Sequence, residues 1–337
     1  MSSTLKNPGL APAGHDKMEW VIGRMPVLAN IRQRYAKTRP FEGQRIAISL
    51  HLEAKTAVLA ELFHIGGAKV SITSSNPLTA QDDVAAALAE RGVIVHAMRG
   101  VNDEEFDQLH HKVLDIEPTL LVDDGGELTE RLHHSRKNLA AGVRGGAEET
   151  TTGVTRLRAL AASGRLSYPM IAVNDADMKH LFDNRYGTGQ STWDGIMRTT
   201  NLVVADKVVV IAGYGWCGKG VAERARGLGA QVIVTEINPV RANEALMDGH
   251  RVMPMAEAAG LGDFFITVTG NEKVITTPHF GRMKDGAILS NAGHLTLRSM
   301  WRDWPSSRYV GSKDAMTLLT AMYCLQARPY GFWRGAD

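Results

Sequence analysis

Residues 207–236 read KVVVIAGYGWCGKGVAERARGLGAQVIVTE. The apolar run Val208 to Ala212 has the character of a buried strand and ends at Gly213. GYGWCG places Gly213, Gly215 and Gly218 in GxGxxG spacing at the mouth of a helix. The next apolar run, QVIVT, ends at Glu236, about 18 residues beyond Gly218. Strand, glycine turn, helix, strand and acid in this order predict a dinucleotide-binding βαβ unit. The glycines let backbone approach a pyrophosphate, whose charge a helix N-terminus stabilises. Glu236 is expected to accept hydrogen bonds from ribose hydroxyls and to repel a 2′-phosphate, so NAD is expected over NADP. A glycine turn beside a surface glutamate is the plainer alternative, and the surrounding order outweighs it.

The same alternation extends upstream. QRIAISL, AKVSITSS, VIVHAM, TLLVDD and YPMIAVND read as strands, and AKTAVLAELFHI, AQDDVAAALAERG and EEFDQLHHKVLDI as helices. One helix is expected from Met18 to Tyr35, and GGAEETTTGV reads as a loop entering the helix TRLRALAASG. Downstream, DFFITVTGN and GAILSNAGH are strands followed by loops that carry Asn271, Asn291 and His294. The pattern predicts an α/β fold of two Rossmann-like domains, a substrate-binding domain and an NAD-binding doubly wound parallel sheet. The expected division is 1–184, 185–300 and a short C-terminal segment 301–337, whose helix at 310–330 completes the first domain. The boundary falls near Asn184 to Thr192, in a glycine-containing connector. Ligands of such sheets sit at the carboxyl ends of strands, which draws attention to Asp124 in the turn Asp123-Asp124-Gly125-Gly126.

Composition narrows the function. The chain has 337 residues, 44% apolar and 22% charged, with a net charge of +2 and no basic stripe, so nucleic acid is not the expected partner. No run approaches the roughly 18 apolar residues of a membrane span, and the N-terminus has no apolar signal core. Two cysteines, Cys217 and Cys324, cannot form a disulfide framework, which suits a cytoplasmic enzyme. The histidines lack metal-ligand spacing, so no metal is expected.

Seven collinear segments carry a more specific signal: HLEAKTAVL, SNPLTAQDDVAAAL, LVDDGGELT, EETTTGV, NDADMKHLFDNRYGTGQSTWDGI, AGYGWCGKG and NAGH. From about Glu19 to His294 the chain resembles the S-adenosylhomocysteine hydrolase family, in particular its archaeal and thermophilic members. The resemblance implies tightly held NAD that oxidises the 3′-hydroxyl carbon of a purine nucleoside. The neighbouring proton becomes acidic, the 5′ substituent leaves by β-elimination, and the hydride is finally returned.

Residue by residue, the resemblance implies that Lys179 and Asp183 flank the 3′-hydroxyl and that Asp124 and Glu149 hold the sugar. His51 and His294 serve the 5′ side, where a leaving group needs an acid and water a base. Glu53 and Lys55 lie with His51 among the substrate contacts. Thr150, Thr151, Thr152, Asn184, Asn271 and Asn291 join Gly213, Gly215, Gly218 and Glu236 around the cofactor. Each has a plainer reading on its own: Asp124 a turn residue, the threonines a helix cap, Lys179 a surface cation, the histidines structural. A homo-oligomer, dimer or tetramer, is also implied.

Departures from the family pattern bear on the reaction. The segment after NAGH is compressed to LTLRSMWRDWPSSRYVGSKDAMTLLTAMYCLQA, with Gly311-Ser312-Lys313 where Gly-His-Pro is expected. Thr188 stands where many members have cysteine, as in archaeal members. Lys55 stands where many have a glutamate that reads the adenine amino group; lysine donates and cannot accept. A shortened lid suggests a smaller leaving group. The favoured expectation is therefore a nucleoside dehydratase of the kind that makes exocyclic-alkene nucleoside antibiotics. Hydrolysis of S-adenosyl- or S-inosylhomocysteine is the alternative, and a non-catalytic homologue the third.

Overall fold

The structure, a computed structural model, describes residues 2–293. His294, Gly311-Ser312-Lys313 and the helix expected at 310–330 lie outside the described residues. The chain divides into two compact units, the first running to Asn174 and the second beginning at Asp175.

The first unit is a seven-stranded sheet of β1 (Thr4–Leu5), β2 (Arg45–Ser49), β3 (Lys69–Thr73), β4 (Ile94–Ala97), β5 (Leu120–Asp123), β6 (Gly145–Glu148) and β7 (Met170–Ala172). Its order is β1-β4-β3-β2-β5-β6-β7 and every pairing is parallel. Helices Ala54–Ile65 and Asp82–Glu90 and the helix Asp103–Leu114 connect successive strands. Parallel strands covered on both sides read as continuous apolar runs, and Ile46, Ala47 and Ile48 of β2 are all buried. The strand order reverses between β2 and β5, which pair directly. The loops leaving these two strands carry His51 and Asp124.

The second unit holds β8 (Val208–Ala212), β9 (Gln231–Thr235), β10 (Arg251–Val252), β11 (Phe264–Thr267) and β12 (Ile288–Asn291), parallel in the order β10-β9-β8-β11-β12. Its order reverses between β8 and β11, so the glycine turn after β8 sits at the switch point. Phe264 and Trp193, whose rings meet edge to face at 6.1 Å, anchor one side of the core. The α/β class and parallel sheets expected from the alternation are those observed.

Three local expectations differ from the structure. The single helix expected over Met18–Tyr35 is two, Ala11–Ile22 and Pro26–Thr38. Proline has no N–H and its ring clashes with the preceding turn, so a new helix starts at Pro26. The loop expected at GGAE is the strand β6, paired between β5 and β7. A Cβ on Gly146 would lie 2.7 Å from Met170 Sδ and 2.9 Å from Leu121 Cβ, so only glycine fits the strand there. The connector near Asn184 to Thr192 is helical: a wide, π-helical segment, His180–Gly187, runs into the helix Thr188–Thr200.

Candidate active site

In the first unit the site is built at the ends of β2 and β5. The chain leaves β2 through His51, and Glu53 caps the helix Ala54–Ile65 by accepting from the Thr56 amide at 2.9 Å. Lys55 lies in the first turn of that helix and is exposed. Asp124 is 3% exposed. Its Oδ2 accepts from Ser75 Oγ at 2.7 Å and stands 3.4 Å from His51 Nε2. His51 Nδ1 is 2.9 Å from Thr79 Oγ1, which itself donates to the Asn76 carbonyl at 3.0 Å. The Thr79 hydroxyl is also 2.9 Å from Ser74 Oγ, and Nε2 is the His51 ring nitrogen that meets Asp124. Half-exposed, the imidazole can exchange a proton with a bound molecule. The structure thus brings His51 and Asp124 together, while Glu53 is occupied as a helix cap.

The EETTTGV segment ends β6 and opens the helix Thr151–Ala162. The Glu149 amide donates to the Asp123 carbonyl at 2.9 Å. Thr150 is the helix N-cap, and Thr151 Oγ1 accepts from Asn174 Nδ2 at 3.1 Å. Sequence reasoning passed over Asp123 and Glu148, which are fully buried beneath this region. Glu148 accepts from the amides of Gly125, Gly126 and Thr150. Burial, with Asp123 and Asp124 nearby, pushes its carboxyl up to about 8 against the pull of those amides. Burial likewise pushes Asp123 up to about 6.

In the second unit, Lys179 and Asn184 lie on the π-helical stretch and its approach. Lys179 Nζ donates to Asn184 Oδ1 at 2.8 Å and stands 3.3 Å from Asp183 Oδ2. The wide turn brings a residue five positions ahead under the lysine, a reach that an ordinary helix gives only to neighbours three or four apart. Lys179 is mostly buried and Asp183 mostly exposed, so the pair joins a sheltered amino group to a solvated carboxylate.

The glycine turn fits a dinucleotide. Gly213 has φ +106°, in the left-handed region, and a Cβ there would be 2.7 Å from Thr269 Cγ2. A Cβ on Gly218 would overlap the Gly213 carbonyl, so this residue permits the helix to close on the strand. Gly215 caps the helix Trp216–Gly227, and a Cβ there meets only Arg241 Nη1, at 3.8 Å, which leaves its backbone open to a ligand. Glu236 follows β9 and accepts from the Tyr214 amide at 2.8 Å and the Asn238 amide at 2.9 Å. These contacts fix a carboxylate beside the glycine turn, where a ribose is expected. Asn291 ends β12; its Oδ1 accepts from Thr267 Oγ1 at 2.9 Å. Asn271 lies in the exposed loop after β11, its amide donating to Thr269 Oγ1 at 3.2 Å. His294 lies outside the described residues.

Known proteins point the same way. Residues 2–141 match a family model described as S-adenosyl-L-homocysteine hydrolase, and residues 184–300 match that family's NAD binding domain. The chain is 56% identical over 298 residues to a protein of Pyrococcus abyssi named adenosylhomocysteinase, covering 88% of this chain and 70% of that one. It is 56% identical over 293 residues to one of Methanococcus maripaludis named S-inosyl-L-homocysteine hydrolase, covering 87% and 71%. An adenosylhomocysteinase of Gloeothece citriformis is 54% identical over 294 residues, covering 87% and 68%.

Proposed function

This chain belongs to the S-adenosyl-L-homocysteine hydrolase family, as an NAD-dependent enzyme, and we propose that it cleaves an S-nucleosidyl-homocysteine to the purine nucleoside and homocysteine. The observation that carries this reading is the 56% identity, across most of both chains, to proteins named for hydrolysis of adenosyl and inosyl substrates. That relationship overturns the non-catalytic alternative. It also favours hydrolysis over dehydration, the expectation that rested on the segment after NAGH.

Gly213, Gly215, Gly218 and Glu236, with Asn184, Asn271, Asn291 and Thr150 to Thr152, would hold NAD, which would supply reversible oxidation of a sugar hydroxyl carbon. Lys179, steadied by Asn184, relays the hydroxyl proton in that step, passing a proton to the adjacent Asp183 carboxylate as it takes up the one from the hydroxyl. Asp124 and Glu149 bind sugar hydroxyls as acceptors. His51 gives a proton to the departing sulfur and afterwards takes one from water, with Asp124 Oδ2 stabilising the charged imidazole. His294 shares that work. Lys55 can only donate, which suits the 6-keto oxygen of hypoxanthine better than the amino group of adenine. The enzyme acts in the cytoplasm as a dimer or tetramer, and no helix among the described residues is long and apolar enough to cross a membrane.

Incubation with S-inosyl- and S-adenosylhomocysteine tests the reading. Release of homocysteine thiol from both, faster from the inosyl compound, is expected. Loss of water from a free nucleoside, with no thiol released from either thioether, would restore dehydration.

A further inference from the structure

Two buried carboxyl groups that the proposed chemistry does not use organise the turn presenting Asp124. Asp123 and Glu148 end adjacent strands and sit opposite each other in the β5–β6 register. Asp123 Oδ1 accepts from the amides of Asp124 at 3.2 Å and Leu128 at 3.1 Å, and Oδ2 from Thr129 at 2.9 Å. Glu148 Oε1 accepts from the amides of Gly125 at 2.8 Å and Thr150 at 3.0 Å, and Oε2 from Gly126 at 3.1 Å. Gly125 and Gly126 have φ +83° and +77°. The successive N–H groups of Gly125 and Gly126 converge on one carboxyl, an anion-binding concavity of the kind a turn makes. Here Glu148 fills it from within the protein. Gly153 belongs to the same device, since a Cβ there would overlap the Glu148 carboxyl. The Asp124 carboxylate is left facing Ser75 and His51.

We propose that Glu148 is a positioning residue: its carboxyl clamps the Gly125-Gly126 turn and Thr150 to one point, and so fixes the direction in which Asp124 meets the substrate. This rests on the role given to Asp124 above. A carboxyl group accepts at both oxygens whether or not it carries a proton, whereas a carboxamide accepts at one. Glu148→Gln therefore loses the bond to Gly126, or those to Gly125 and Thr150, with little change of shape.

A double-mutant cycle on the NAD holoenzyme separates positioning from general damage. kcat/KM for thiol release is measured for wild type, Glu148→Gln, Asp124→Asn and the double variant, with the melting temperature of each. Glu148→Gln is expected to lower kcat/KM by at least about tenfold in the wild-type background and by less than about twofold in Asp124→Asn. Equal losses in both backgrounds overturn the proposal. If Glu148→Gln does not fold, Gly126→Ala disturbs the clamp from its other side, where φ is +77° and the added Cβ meets only Arg156 Cδ at 3.8 Å, and the same non-additivity is expected of it. If the wild type releases no thiol, the hydrolase reading falls. The cycle is then read on inosine and adenosine dissociation constants, where additive losses again overturn the role of Glu148.

Discussion

His51 Nε2 stands 3.4 Å from Asp124 Oδ2, and the two residues leave neighbouring strands at the point where the first sheet reverses its order. Ser75 Oγ holds the same carboxylate oxygen at 2.7 Å, so the carboxylate is aimed before any substrate arrives. Asp124→Asn keeps the shape and the Ser75 contact but removes the charge that an imidazolium needs. kcat/KM for thiol release is expected to fall by roughly 10²-fold. NAD content, measured by chromatography of the denatured protein, is expected to stay at the wild-type level. An unchanged rate removes Asp124 from the site.

Lys179 reaches Asn184 and Asp183 through the π-helical turn, and the proposed proton relay from the sugar hydroxyl to Asp183 runs through its amino nitrogen. Lys179→Met retains much of the aliphatic stem and loses the charge. Mixing the wild-type holoenzyme with nucleoside is expected to produce the near-ultraviolet absorbance of reduced nicotinamide within one turnover. In Lys179→Met that absorbance should rise at least about 10²-fold more slowly. Equal rates would assign the proton to another group.

Among the strands legible in sequence, β2, β3, β8 and β9 are rich in β-branched residues and buried over most of their length, and the glycine turn has a strict spacing. β6 was not legible, because Gly145-Gly146-Ala147 lacks the apolar bulk that marks a strand. Its reason for being glycine lies in the side chains of Leu121 and Met170 on the flanking strands. Glu148 and Glu149 are adjacent identical letters. Only the register of β6 against β5 distinguishes the inward Glu148 from its neighbour, so the resemblance drew attention to Glu149 alone. The wide turn at His180–Gly187 leaves no mark on hydrophobic spacing and was read as a connector.

Gly146 offers a test of that packing. Alanine there would bring Cβ within 2.9 Å of Leu121 Cβ and 3.1 Å of the Leu121 carbonyl oxygen, and neither atom has the freedom of the Met170 tip. Gly146→Ala is expected to destabilise the first unit by roughly 1–3 kcal/mol, as overpacking of a close-packed interior does. Denaturant unfolding followed by circular dichroism measures it. A neutral outcome would mean that β6 is free to shift against β5.

Acid stability should be set in part by His110, which is fully buried beside β2. Its Nδ1 lies 2.9 Å from the Phe106 carbonyl, which can only accept, so Nδ1 carries the hydrogen and Nε2 accepts from Ser49 Oγ at 3.0 Å. Burial first, then the Arg131 guanidinium, lowers the imidazole from 6.5 to about 4. A group depressed in the folded state contributes stability above its unfolded value of 6.5, and that stability is lost as pH falls through about 4. The full loss is on the order of 3 kcal/mol. Relative to His110→Gln, the wild type should therefore lose stability between about pH 6.5 and about pH 4, a comparison in which the opposite contributions of the raised Glu148 and Asp123 carboxyls cancel. His110→Gln, which keeps a donor and an acceptor but cannot titrate there, should be less stable near neutrality and should flatten that part of the profile. Parallel profiles for the two proteins would show that His110 takes up its proton equally in the folded and unfolded chains, against the burial and the two hydrogen bonds described above.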